Sequence, residues 1–319
     1  MALKGKIVPE PVDIGQIAVP PFAQLPDAAT LFESRAERLA ALAPGHALEP
    51  YLRFLTAIAR AQHGAVGQLP AGTLPGKDHI AFCHARELPV LDRLAWKRDA
   101  SFVAGARAIA TELTGTAMPE PAAQALAAFA GRDDASLEAL ADRVLREEHQ
   151  DGEVAEVLFA GAALELHFAC MAALLDPADL APVEPRSLCP VCGSLAIASV
   201  VEAAHGRQGA RFLCCSLCQT RWNYTRIQCA HCVSTKGIAY QNIEGGSKAV
   251  RAETCNECRT YTKILYLEED ADIDPVADDL ASLPLDILVS EAGWARACPS
   301  FYLMPDGDDG DLPPLSSAG

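Results

Sequence analysis

The sequence predicts an α+β protein: an all-helical N-terminal domain, two tandem rubredoxin-like or zinc-ribbon four-cysteine modules, and a short C-terminal helix. Three observations predict it. Apolar residues recur at helical spacing from Asp27 to Leu175, and strand-like alternation begins only after residue 190. Eight of the twelve cysteines form four Cys-x-x-Cys pairs, Cys189/Cys192, Cys215/Cys218, Cys229/Cys232 and Cys255/Cys258. Moving the first four forward by 40 positions lands each on its counterpart, so the stretch is a tandem duplication. The expected division is a helical domain over 1–183 and a ribbon over 184–268, with repeats at 186–228 and 229–268. A C-terminal helix and acidic tail fill 269–319.

Residues 1–26 read as an extended lead-in. Asp27 is a candidate N-cap for a first helix carrying Leu31, Phe32, Arg35, Leu39 and Leu42, and a second helix is expected from about Glu49 to Val66. Glycine and proline mark 67–80 as a loop. Further helices are expected near 100–115, 120–131, 134–149 and 152–175, the third capped by Asp133 or Asp134 and the second started at Pro119 or Pro121. The last is apolar enough to span a membrane, but Glu156 and Glu165 inside it favour a buried core helix.

After the stiff linker Pro182–Pro185 the period becomes that of strands. Hairpins are expected from Leu195–Val201 with Arg211–Cys215, turning at 205–209, and from Ile238–Ile243 with Val250–Thr254, turning at 244–247. A third strand leaves each repeat, Trp222–Ile227 and Tyr261–Leu267. The acidic run from Glu268 to Asp274 could lie against the basic ribbon, ahead of a helical pattern from Val276 to Val289. The tail from Asp306 is expected to be disordered.

Two residues between paired cysteines let one tight turn aim both sulfurs at a point, and two such turns close a tetrahedral shell. Disulfides would need an oxidising compartment. The start, Met1 to Pro9, shows no apolar core or cleavage site of a secretory leader, which argues against disulfides. Two metal ions, each held by four cysteines, are the reading; tetrahedral sulfur accepts zinc or iron, and on the residues alone zinc is favoured. Which half-sites pair stays open, since Cys189/Cys192 could share an ion with Cys229/Cys232. Cys214 is expected to face away from its neighbour's metal, and Cys83, Cys170 and Cys298 to be buried fillers. His231 is expected to point outward. His63, His79, His84, His149 and His167 form no ligand set.

The net charge of −16 argues against general affinity for nucleic acid or anionic membrane. Residues 186–266 are locally basic, ten Lys/Arg against four Glu, yet two filled four-thiolate sites would bring that +6 to about +2. No phosphate-cradling loop, nucleophile elbow or carboxylate pair is present, and a closed four-sulfur shell has no position for substrate, so no enzyme activity is expected. A nucleic-acid-binding zinc ribbon and a rubredoxin-like one-electron carrier are the alternatives, and a homodimer is compatible with the sequence.

The run Cys189-Pro-Val-Cys-Gly-Ser, then Cys215-Ser-Leu-Cys with Trp222 and Arg226, then Arg251 through Cys255 and Cys258 to Tyr266, resembles the formate dehydrogenase accessory protein family, FdhE. Val276 to Leu283, Arg35 to Leu39 and Tyr51 to Phe54 resemble it too, so the likeness covers nearly the whole chain. The resemblance implies a cytoplasmic chaperone that binds the catalytic subunit of a respiratory formate dehydrogenase and helps it mature. It also implies rubredoxin-like iron on Cys189, Cys192, Cys215, Cys218, Cys229, Cys232, Cys255 and Cys258. Two positions depart from the family pattern: Trp222 sits between Arg221 and Asn223, and Arg259 follows the last cysteine where glycine is common.

Overall fold

The computed structural model describes residues 20–148, 153–203, 209–298 and 300–303. The helical part comprises α1 (Leu31–Leu42), α2 (Glu49–Val66), α3 (Lys77–His84), α4 (Ala100–Glu112), α5 (Glu120–Gly131), α6 (Asp134–Arg146) and α7 (Val154–Ala173). Capping follows the sequence in part: Asp133 accepts from the Ser136 amide and Asp99 from that of Ser101, bonds worth about 1 kcal/mol each. Asp27 instead closes a turn, taking the Ala29 amide and the Thr30 hydroxyl, and α1 begins three residues later than expected. α3 corrects the expectation of an unbroken loop to residue 80.

α7 is the axis of the helical part, with α2, α4, α5 and α6 packed around it. By length and composition it could cross a membrane, but 83% of its most apolar stretch, within Ala155–Ala173, is buried inside the protein. Its acids are paired: Glu156 takes Nε of Arg132 at 2.7 Å and Glu165 takes Nη1 of Arg35 at 2.7 Å. It is a core helix.

Strands β1 (Ala23–Gln24), β2 (Ala196–Val201), β3 (Arg211–Cys215), β4 (Arg221–Tyr224), β5 (Ile238–Gln241), β6 (Val250–Cys255), β7 (Thr260–Tyr266) and β8 (Ala295–Arg296) form one sheet. Its order is β1-β4-β3-β2-β7-β6-β5, with β8 beside β7. Each repeat is an antiparallel three-stranded meander. The two are fused where β2 lies parallel to β7, Ala198 opposite Lys263 and Val201 opposite Tyr266. β1 adds a strand from the lead-in, ahead of an otherwise helical region. The expected turn at 205–209 falls largely outside the described residues, as do His149 and the tail from 304.

The C-terminal helix is two helices, α8 (Pro275–Ala281) and α9 (Leu283–Glu291). Pro284 enters at the start of α9, where a missing amide is tolerated, and prevents one continuous helix. The acidic run expected against the ribbon, Glu268 to Asp274, instead pairs with α1 through Asp270 and Asp274, and it is acids of α8 and α9 that reach the ribbon. Asp270 and Asp278 clasp Arg38 of α1 and Asp274 meets Arg35, while Asp279 and Asp286 hold Lys263 of β7 and Arg296 of β8.

The first repeat shares its core with the helices: Val191, Leu213, Leu217 and Trp222 belong to one buried cluster with Phe32, Leu39 and Leu164. The second repeat adds Ala230, Ala249 and Leu265 to that cluster, while its Ala252 and Tyr261 pack with Leu285 and Val289 of α9 in a small separate one.

Candidate metal centres

In two of the four Cys-x-x-Cys turns the backbone amides point at a sulfur. The amides of Leu217 and Cys218 donate to Cys215 Sγ at 3.3 Å, and those of His231 and Cys232 to Cys229 Sγ at 3.4 Å. The residue after every second cysteine is left-handed: Gly193 (φ 73°), Gln219 (61°), Val233 (55°) and Arg259 (58°). The turn therefore demands a conformation that glycine adopts freely and a β-branched residue resists. This explains the glycine expected after the last cysteine. Arg259 occupies that place while its guanidinium stacks on Trp294 and donates to the Gly293 carbonyl at 2.9 Å.

The folded chain gathers the sulfurs in two groups, Cys189, Cys192, Cys215 and Cys218, then Cys229, Cys232, Cys255 and Cys258, each group lying within 4.8 Å. Pairing is within repeats and not crossed between them. None of the twelve cysteines is in a disulfide. In the first group Cys189–Cys218 and Cys192–Cys215 are 3.5 and 3.3 Å apart; in the second, Cys229–Cys258 and Cys232–Cys255 are 3.7 and 3.8 Å apart. A tetrahedron with metal–sulfur bonds of about 2.3 Å has sulfur–sulfur edges of about 3.8 Å. The second group matches that edge and the first is slightly contracted, so both donor sets fit a tetrahedral ion.

Electrostatics point the same way. Burial pushes the Cys189 and Cys215 thiols well above their usual range. In the second group the hydrogen bond with Cys229 pulls Cys258 down to about 4. A divalent cation removes this conflict by holding all four sulfurs as thiolates. The Cys192 and Cys218 thiols donate to the hydroxyls of Ser194 and Thr220 at 3.3 and 3.2 Å, and Thr260 Oγ1 lies 3.0 Å from Cys258 Sγ, where either atom can donate.

The remaining candidates lie elsewhere. Cys214 is buried outside both groups, its thiol raised to about 11 by burial. Cys83 Sγ is 3.4 Å from His79 Nε2. His231 does not point outward: it is 5% exposed and neither ring nitrogen has a hydrogen-bond partner, yet it belongs to neither sulfur group.

Two polar networks were not anticipated. Fully buried Arg35 reaches Glu165, Asp274 and Gln219, and Gln219 follows the second turn of the first group, so α1 and α7 grip that turn. Buried Arg211 donates to the carbonyls of Thr225, Arg226 and Gln228 and pairs with Glu253 at 2.8 Å, tying the repeats together. Both arginines stand in the sequence, but their partners are 14 to 239 residues away, beyond any local signal.

Three family models match in succession: "FdhE, N-terminal" over residues 20–185, "FdhE, central domain" over 188–226 and "FdhE, C-terminal domain" over 227–303. The chain belongs to the FdhE family. Two curated relatives carry the name Protein FdhE homolog. That of Rhizobium meliloti (strain 1021) is 36% identical over 300 residues, covering 93% of this chain and 98% of its own. That of Pseudomonas putida is 36% identical over 307 residues, covering 94% and 96%. The crystal structure of the FdhE protein from Pseudomonas aeruginosa superposes with a TM-score of 0.81 at 32% identity, covering 90% of this chain and all of that one. The FdhE central and C-terminal models part between residues 226 and 227, in the segment whose carbonyls Arg211 holds.

Proposed function

We propose that this FdhE-family protein is a cytoplasmic accessory factor for a respiratory formate dehydrogenase, binding its catalytic subunit through the metal-stabilised ribbon, and that it is not itself an enzyme. The eight cysteines of the four turns hold two metal ions, four to each, with iron favoured over zinc on the family resemblance. The observation that carries the reading is the pair of four-sulfur groups in a chain matched by FdhE models between residues 20 and 303.

A four-thiolate ion is coordinatively closed; it fastens its turns together and, as iron, can also pass an electron. The chain's own part is to build a stiff surface. The turn amides orient the sulfurs, the fused sheet aligns the two repeats, and Arg35 and Gln219 fix the first repeat to α1 and α7. Binding nucleic acid fits less well. Arg211 and Lys263, two of the ribbon's cations, are spent in buried ion pairs, and Arg251 and Arg259 stack on Tyr266 and Trp294.

Protein purified without air should carry two metal equivalents with the absorption of ferric or ferrous tetrathiolate iron. It should retain the catalytic subunit of formate dehydrogenase on an affinity column, and lose that subunit when chelator removes the metal. A metal-filled protein that retains no catalytic subunit, yet holds nucleic acid with steep salt dependence, would overturn the assignment.

A further inference from the structure

The duplication puts two matched sets of sulfurs in unlike surroundings. The first four cysteines have no exposed surface. Their first turn is clamped from the helical side: the Leu91 amide donates to Val191 O at 2.7 Å and the Arg93 amide to Cys192 O at 2.9 Å. Arg93 Nη1 adds a bond to Gly193 O at 2.6 Å. Their second turn runs into Gln219, held between Arg35 and Glu165. Val191 and Leu217, inside the two turns, belong to the main core.

The second set has only part of this cover: Ala230 of its first turn joins the main core and Cys229 and Cys255 are buried, but one side is open. Cys232 and Cys258 are partly exposed. At the positions of buried Leu217 and Gln219 stand Glu257 and Arg259, both exposed, and Thr235, Lys236 and Gly237 beside Cys232 are exposed as well. The third turn is held by residues of the ribbon itself, with the Tyr224 hydroxyl on Cys229 O and the Gln228 amide on Val233 O, each at 2.8 Å.

We infer that the two centres are not equivalent: the first is a sealed structural centre, and the second is an exchange centre open to an external thiol or carboxylate ligand at the face of Cys232 and Cys258. An incoming ligand has a direct path to those two sulfurs. It can reach the first four only after the helical part separates from the ribbon, and local opening of a shared core is far rarer than fraying of an exposed turn. The inference rests on the metal-holding reading above and extends it to which centre gives up its ion.

The test uses the full chain, purified without air and loaded with two equivalents of zinc. Native mass spectrometry follows the ions during an EDTA challenge, while iodoacetamide labelling and peptide mapping report which cysteines become free. A one-ion species should accumulate, with the cysteines at 229, 232, 255 and 258 labelled at least about tenfold faster than those at 189, 192, 215 and 218. Loss of both ions in one phase, or earlier labelling of the first four, would overturn the inference. A chain that takes up no zinc at all would instead overturn the metal-holding reading. Cys258→Ser should abolish only the fast-released ion and leave the far-ultraviolet circular dichroism intact; should that variant not fold, the labelling order in the unaltered chain decides.

Discussion

Replacing Arg35 by methionine removes the cation at the centre of the contact between helices and ribbon. The Arg35 side chain is 2% exposed and that of Glu165 1%, and the guanidinium spans Glu165 at 2.7 Å, Gln219 at 3.0 Å and Asp274 at 3.2 Å. Methionine fills much of the volume but leaves buried carboxylates without their counter-charge, a loss of about 3–5 kcal/mol. At about 2.1 cal/mol/K per residue, the 319-residue chain has an unfolding entropy near 0.7 kcal/mol/K, so the midpoint should fall by about 4–7 °C. Differential scanning calorimetry on metal-loaded protein reads this directly. The double variant Arg35→Met/Glu165→Met should recover part of the loss, because the most deeply buried carboxylate is then gone and Asp274, the one left opposite the vacated site, keeps the amides of Val276 and Ala277. A drop below about 1 °C in the single variant, or a double variant no more stable than the single, would refute the reasoning.

Other outcomes follow from the same structure. Burial holds His167 down to about 4, with its Nδ1 2.7 Å from Ser101 Oγ. Since the unfolded chain binds that proton near pH 6.5, the contribution is complete above about 6.5 and lost as pH falls toward 4; at pH 5 the loss is about 2 kcal/mol. Denaturant titrations at pH 7 and 5 should show that extra loss in the native chain and not in His167→Gln. Arg211→Leu strands Glu253 and three backbone carbonyls, and should lower stability by about 3–5 kcal/mol, read as a matching fall in calorimetric midpoint. Val233→Gly relieves a β-branched residue at φ 55° and should raise the resistance of the second centre to chelator, with a gain of about 1 kcal/mol. Faster metal release in that variant would show that the Val233 side chain's packing outweighs its strain.

Long, strongly periodic segments were legible: α2 and α5 begin and end where the pattern places them, and α4, α6 and α7 differ only at their ends. α3 escaped notice because its eight residues bury only Ile80 and Cys83, too few to show a helical stripe. The eight cysteines come together as their spacing implies, since a Cys-x-x-Cys turn is a local device. What encloses them was only half legible. Leu217 and Glu257 hold matched places in the repeat, and their opposite polarity goes with a buried and an exposed turn. Gln219, Val233 and Arg259 gave no sign of left-handed backbone, because nothing in those residue types announces it. The parallel joining of β2 to β7, and the reach of Asp274 and Asp278 back to Arg35 and Arg38, depend on contacts more than 60 residues apart in sequence, which no window of periodicity can see.

The way the repeats join also bears on self-assembly. The first strand of one unit lies along the third strand of the other, a head-to-tail contact that by its geometry invites another unit at either end. At the β4 end the invitation is refused, since Ala23 and Gln24 already occupy that border. At the β5 end the border is only four residues long, too short to template an added strand well. A lead-in segment of two paired residues thus acts as a stopper that keeps a self-propagating arrangement finite.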